Sequence, residues 1–137
     1  MARATFEMPD DFMQKISRLA DQTDAIVPKV LEAGGKVVLE AVRSGLHTAL
    51  SGASTGELER ALGLSPARLD RNGNPDVKVG FDEPRSDGGS NAKLANILEH
   101  GKHGQPPRPF LKAAKAASRG SATEAMVAKL EEEIAKL

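Results

Sequence analysis

Between Ile26 and Ala49, apolar side chains return every three or four residues: Ile26, Val27, Val30, Leu31, Val37, Val38, Ala41, Val42, Leu46 and Ala49. An α-helix places residues of that spacing on one face, so the run requires a long amphipathic helix with its stripe against a core. Asp24 stands where this helix is expected to begin. Pro28 suits its first turn, where backbone N–H groups have no intrahelical acceptor. Gly34-Gly35 is the weak point, because a helical glycine costs about 1 kcal/mol relative to alanine. A kink and a close crossing with another element both explain the pair; an unbroken, closely packed helix is favoured.

The partners of this helix must be built from small side chains. Among 137 residues there are four Phe and no Trp or Tyr, so the core is expected to consist of Ala, Leu and Val, with part of it completed by a neighbouring subunit. That length fits one domain, residues 1–137. Upstream, Pro9-Asp10-Asp11 resembles a helix start, since proline and acids suit a first turn. Phe12, Ile16 and Leu19 continue at helical spacing, and this short helix is expected to end before Thr23. Residues 1–23 then form an N-terminal helical segment ahead of the main unit, 24–137.

Ser51-Gly52-Ala53-Ser54 punctuates the chain, and Thr55 is placed to cap a short helix through Leu62. Beyond Gly63 the pattern changes. Leu64–Leu69 alternates partly, Asn72-Gly73-Asn74 signals a turn, and Asp76–Phe81 alternates cleanly, with Val77, Val79 and Phe81 on one face. An antiparallel hairpin is expected, with Pro66 restricting its first strand to an edge. Residues 82–90 are expected to be a mobile loop. Asn91–His100 favours helix over strand, Gly101–Pro109 a rigid polar loop, and Phe110–Ala117 and Ala122–Leu137 helices broken near Gly120. The class predicted is α+β: long N-terminal helices, a small antiparallel hairpin or sheet, and C-terminal helices.

Lys and Arg total 19, as do Asp and Glu, which gives no electrostatic reason for direct nucleic-acid readout. There is no cysteine, excluding disulfides and thiolate metal sites. No apolar run approaches the roughly 18 residues of a membrane span, and the first residues lack an apolar leader core. A soluble intracellular protein is expected.

Candidate chemistry is sparse. Glu99, His100 and His103 are the sharpest possibility, as ligands of a metal-dependent hydrolase. Against it, Gly101 breaks the helix that would hold the histidines together, and Lys102 brings a positive charge into the same loop. His47, near a helix C-terminus, fits a surface position favoured by the dipole. Ser44, Ser51, Ser54 and Ser65 stand in no nucleophile-elbow context. The adjacent pairs Asp10-Asp11 and Asp82-Glu83 point their side chains apart, and Gly88-Gly89 lacks the lysine spacing of a phosphate loop. No catalytic residue, cofactor or metal site is assigned.

Pro106-Pro107-Arg108-Pro109-Phe110-Leu111 carries more information. Prolines hold the backbone extended, so such a segment loses little entropy on docking. Arg108 offers bidentate pairing. Two readings stand side by side: a preorganised subunit contact, or a loop that caps the next helix while Phe110 fills the chain's own core.

Thr55-Gly56-Glu57-Leu58, after a long Ala- and Val-rich helix, resembles the "TG-x-L" element of the neck or tail-completion proteins of lambdoid and related long-tailed phages. Ile97-Leu98-Glu99-His100-Gly101, followed by Gln105–Ala114, is similar to that family's second signature, in which an apolar pair, an acid and a glycine lead into a Pro-Arg-Pro-Phe helix start. The match covers residues 24 to 137, with a hairpin between the two elements. Leu98 stands where the family often has an aromatic, and Ala53-Ser54 where a proline commonly precedes the "TG", which leaves the subgroup open. The resemblance implies a non-enzymatic virion protein, assembled in the host cytoplasm and placed at the tail's head-proximal end. It implies a homo-oligomeric ring, hexameric by expectation, against tail terminator, tail tube or head-connector proteins. The residues it marks for the motif or subunit interface are Thr55, Gly56, Leu58, Glu99, Gly101, Pro107, Arg108, Pro109, Phe110 and Leu111. Tail terminator, head-closure protein and a small bacterial α+β interaction module, such as a toxin–antitoxin component, are the alternatives.

Overall fold

The computed structural model describes residues 9–50 and 56–137. The elements are helix α1 (Asp10–Leu50), helix α2 (Glu57–Ala61), strands β1 (Leu62–Leu64), β2 (Arg68–Leu69), β3 (Pro75–Asp76) and β4 (Val79–Phe81), and helices α3 (Asn91–His100) and α4 (Leu111–Ala135). The α+β class read from the sequence is the class observed.

The apolar repeat produces one helix where two were expected. α1 runs unbroken for 41 residues, about 60 Å at 1.5 Å per residue. Thr23 does not break it: one weak helix former is outweighed by its neighbours, and its hydroxyl donates to the Leu19 carbonyl at 2.9 Å within the helix. Pro28 lies inside the helix rather than in its first turn. It removes the N–H that the Asp24 carbonyl would accept, but Asp24 is exposed, so water can reach that oxygen.

Gly34 and Gly35 are both buried within the unbroken helix, and their packing explains why side chains are missing there. A Cβ on Gly34 would stand 2.6 Å from Met126 Cγ of α4, and one on Gly35 would stand 2.7 Å from Leu64 Cδ1 of the hairpin. The pair thus lets one turn of α1 lie close under two different elements.

α4 packs antiparallel along α1. Phe110 lies beside Gly45, Met126 beside Gly34, and Glu133 pairs with Lys29 at 3.5 Å. Glu133 is buried, and its carboxyl is also ringed by Lys129 and Lys136. α4 continues through Gly120, where a break was expected. The surrounding alanines (Ala113, Ala114, Ala116, Ala117 and Ala122) are strong helix formers and outweigh one glycine. α4 ends near the level of Lys29, so the first turns of α1 project beyond it.

The hairpin forms in two pieces. β1 pairs with β4 in the register Leu62↔Phe81, Gly63↔Gly80 and Leu64↔Val79; β2 pairs with β3 as Arg68↔Asp76 and Leu69↔Pro75. Between the pieces, Ser65, Pro66 and Ala67 face only Val77 and Lys78, so the first strand carries a bulge. Proline has no N–H to give a ladder. Ser65 restores the pairing locally: its N–H donates to the Lys78 carbonyl and its hydroxyl accepts the Lys78 N–H, both at 2.8 Å. The turn is held by Asp70, whose carboxylate accepts the Asn72 and Asn74 N–H groups. Val77, Val79 and Phe81 are half-buried on the inner side, while Lys78 and Gly80 are exposed.

One core unites these parts: Val42 and Leu46 of α1, Leu58 of α2, Leu62 of β1, Ala95 and Leu98 of α3, and Phe110 with Ala114 at the start of α4.

Candidate functional site

The two marked segments meet at that core. At the end of α3, the Gly101 N–H closes on the Ile97 carbonyl at 2.7 Å with φ +78°. The chain then reverses tightly, with Lys102 and Gln105 exchanging backbone hydrogen bonds at 3.0 and 2.9 Å. A Cβ at Gly101 would stand 2.9 Å from both the Gln105 carbonyl oxygen and the Pro107 nitrogen. Left-handed backbone and lack of space both call for glycine there. The returning strand is fastened by the Arg108 N–H donating to the Leu98 carbonyl at 2.6 Å.

Glu99 explains the acid of this segment. Its buried carboxylate accepts the N–H groups of Phe110 at 2.7 Å, Leu111 at 2.8 Å and Lys112 at 3.1 Å. These are donors at the start of α4, which have no acceptor within the helix, and the negative charge also faces the positive end of the helix dipole. Burial pushes the Glu99 carboxyl upward, but the three N–H groups outweigh it and hold its pKa below the ordinary carboxylate value. Phe110, only 2% exposed, is locked into the core directly beneath. Glu99, Gly101, Pro107, Phe110 and Leu111 are thus parts of one clip that joins α3 to α4.

The first segment reaches the same core from the other side. Thr55 and the punctuation at 51–54 lie outside the described residues. Gly56 has φ +82° at the start of α2, and Leu58 is buried against the core. Glu57 is committed elsewhere: its carboxylate accepts the Ser86 N–H at 2.6 Å and hydroxyl at 2.9 Å, and pairs with Arg85 at 3.5 Å. The Ser86 bonds hold its pKa below the ordinary value.

The 82–90 segment, expected to be mobile, carries further bonds. Glu83 accepts the Ser90 hydroxyl and the Asn91 and Ala92 N–H groups, capping α3 as Glu99 caps α4. Ser90 accepts the Lys93 N–H in the ordinary N-cap position. Arg85 donates to the buried Asn91 side-chain oxygen at 2.9 Å, and Asn91 donates to the Asp82 carbonyl at 2.7 Å. Sequence reasoning missed the roles of Glu57, Glu83, Arg85 and Asn91. Only Ser90 carries a local capping signal, because the other partners come from distant or irregular chain.

Facing outward from the clip are Pro106, Pro107, Arg108 and Pro109, all exposed. Arg108 donates to the Ala49 carbonyl near the end of α1 at 3.2 Å. With Gly45, Thr48 and Ala49, Arg108 and Pro109 line a shallow depression. The metal alternative is not assembled. His100 and His103 are exposed, and the Glu99 carboxylate is turned inward to α4. Among the described residues no group of three or more His, Asp or Glu could hold a metal ion. Nor is any described helix long and apolar enough to cross a membrane.

A family model described as "Bacteriophage HK97-gp10, putative tail-component" matches residues 10–101, well over half of the chain. It takes in α1, the hairpin and α3, and ends on Gly101 of the clip. No curated protein and no solved structure matches.

Proposed function

Because the chain belongs to the HK97-gp10-like family of phage tail components, we propose that it acts in tail completion and head–tail joining, as the subunit of a homo-oligomeric ring in the neck of the virion. The family match is the observation that carries this reading. The protein works by binding alone, without catalysis, and the ring is hexameric. Its neighbours are the tail terminator, the tail tube or the head connector.

The clip supports a contact role for the exposed edge Pro107, Arg108 and Pro109. The edge is fixed from behind by the Leu98 carbonyl, by Glu99 and by buried Phe110. A segment held this way loses little conformational freedom on docking. Phe110 itself contributes through the core rather than by touching a neighbour. The contact is therefore read from Arg108→Ala, which leaves the core intact, and not from Phe110→Ala.

The test is to image particles from a phage lacking this gene, complemented with either the wild-type chain or Arg108→Ala. Loss of the gene leaves unjoined heads and tails. Wild type restores joined particles, and Arg108→Ala restores far fewer. Intact particles without the gene contradict the joining role and favour a small interaction module. Full rescue by Arg108→Ala removes that edge from the interface.

A further inference from the structure

Two apolar stripes on this chain have no partner among the described residues. Phe12, Met13 and Ile16, on the projecting turns of α1, are 43%, 51% and 48% exposed; Val127, Leu130 and Ile134, on α4, are 49%, 37% and 37% exposed. Together they make up all but one of the exposed large hydrophobic side chains among the described residues, the other being Leu69. Concentration of exposed apolar side chains on two helix faces marks interaction surfaces, whereas scattered single ones mark nothing.

The stripes differ in origin. By the 3.6-residue period, Phe12 and Ile16 continue the face of α1 that carries Gly34, which α4 covers farther along. Past the end of α4 that face runs on uncovered by any described residue. The α4 stripe lies instead beside the face that Met126 and buried Glu133 turn toward α1.

We infer that the first turns of α1 in one copy dock along the Val127–Leu130–Ile134 face of α4 in the next copy. This rests on the ring reading and names one of the ring's contacts. Phe12 to Leu19 and Val127 to Ile134 each rise about 10 Å along their helices, so the stripes match in length. Lys15 borders the first stripe, and Glu124 and Glu131 border the second. None of these three has an ion pair among the described residues. Farther round α1 on that flank, Asp11 lies beside Arg18 and offsets its charge, while Asp10 falls on the far side. Lys15 beside the first stripe and Glu124 and Glu131 beside the second give an arm docked on α4 flanking charges of opposite sign. Two different patches on one chain also make a heterologous contact, the kind that rotation closes into a ring. An arm-to-arm contact would stop at a dimer and leave the α4 stripe bare.

The chain has no cysteine, so disulfide trapping reads this contact directly. Within one chain the two sites cannot meet: α4 passes Lys29 at Glu133, which puts Ile16 and Leu130 more than about 20 Å apart along the helices. Tails are assembled in phage carrying Ile16→Cys with Leu130→Cys in the same copy, purified and oxidised. A covalent ladder of this chain, rising to a closed ring, is expected. Tails built from a mixture of the two single variants are expected to give dimers and nothing larger. In the absence of oxidant, Ile16→Asp and Leu130→Asp each reduce incorporation into tails at least tenfold; both positions are exposed, so folding is preserved, as circular dichroism will show. Dimers from Ile16→Cys alone, incorporation of the Asp variants at wild-type level, or no ladder in tails that hold several copies would overturn this contact while leaving the ring standing. Absence of the wild-type chain from tails would overturn the ring reading and the contact with it.

Discussion

Glu99 places a buried carboxylate on three helix-start N–H groups of α4, and much of the chain's second half depends on it. In Glu99→Gln one amide oxygen replaces two carboxylate oxygens, and the amide N–H₂ faces other donors. Loss of about 2 kcal/mol is expected, as for a broken charge-assisted hydrogen bond in a buried setting, measured by denaturant unfolding at neutral pH. The pH dependence has a definite sign. The folded pKa of Glu99 lies below its ordinary value of 4.5, so its contribution is present above that pH and is lost as pH falls through the folded pKa. The gap between wild type and Glu99→Gln therefore narrows as pH drops from 4.5. Phe110→Ala removes a fully buried aromatic and is expected to cost about 3–5 kcal/mol. That is enough to unfold a marginally stable domain, so a loss of assembly in this variant would report folding. The Glu, Gly and Pro-Arg-Pro-Phe pattern was legible in the sequence. Which of its side chains turn inward was not, because that depends on Gly101 bringing Pro107 back over α3.

Among the elements, long helical runs were read well and their ends badly. The Gly34-Gly35 pair was legible as a close crossing, since apolar residues continue on both sides of it. The joins expected at Thr23 and Gly120 are absent because each rests on one weak helix former, and neighbouring residues outweigh one such residue. Gly120 provides a check. It is exposed within α4, and a Cβ added there meets nothing within 4 Å. Gly120→Ala is therefore expected to stabilise the protein by about 0.5–1 kcal/mol, visible as a raised melting temperature with an unchanged fold. The hairpin was legible from its alternation and its Asn-Gly-Asn turn. Its bulge was not, although Pro66 pointed to some interruption, because Ser65 repairs the ladder with its side chain.

Among the described residues, α1 sets the shape: an extended helix with the small sheet, α3 and α4 gathered along its later turns and its first turns projecting beyond α4. Membership in a phage tail-component family gives that shape a context. A core this poor in aromatics folds around a few well-placed side chains, and substantial apolar surface stays outside on α1 and α4. In the proposed ring, self-association would bury that surface, and the Pro107–Pro109 edge lies at the opposite end of the helix pair. The measurement that bears most directly on this account is electron microscopy of purified virions labelled for this protein. Label confined to the head–tail junction, in several copies per particle, is the predicted result. Label along the tail, at its tip, or absent from the particle would contradict the account.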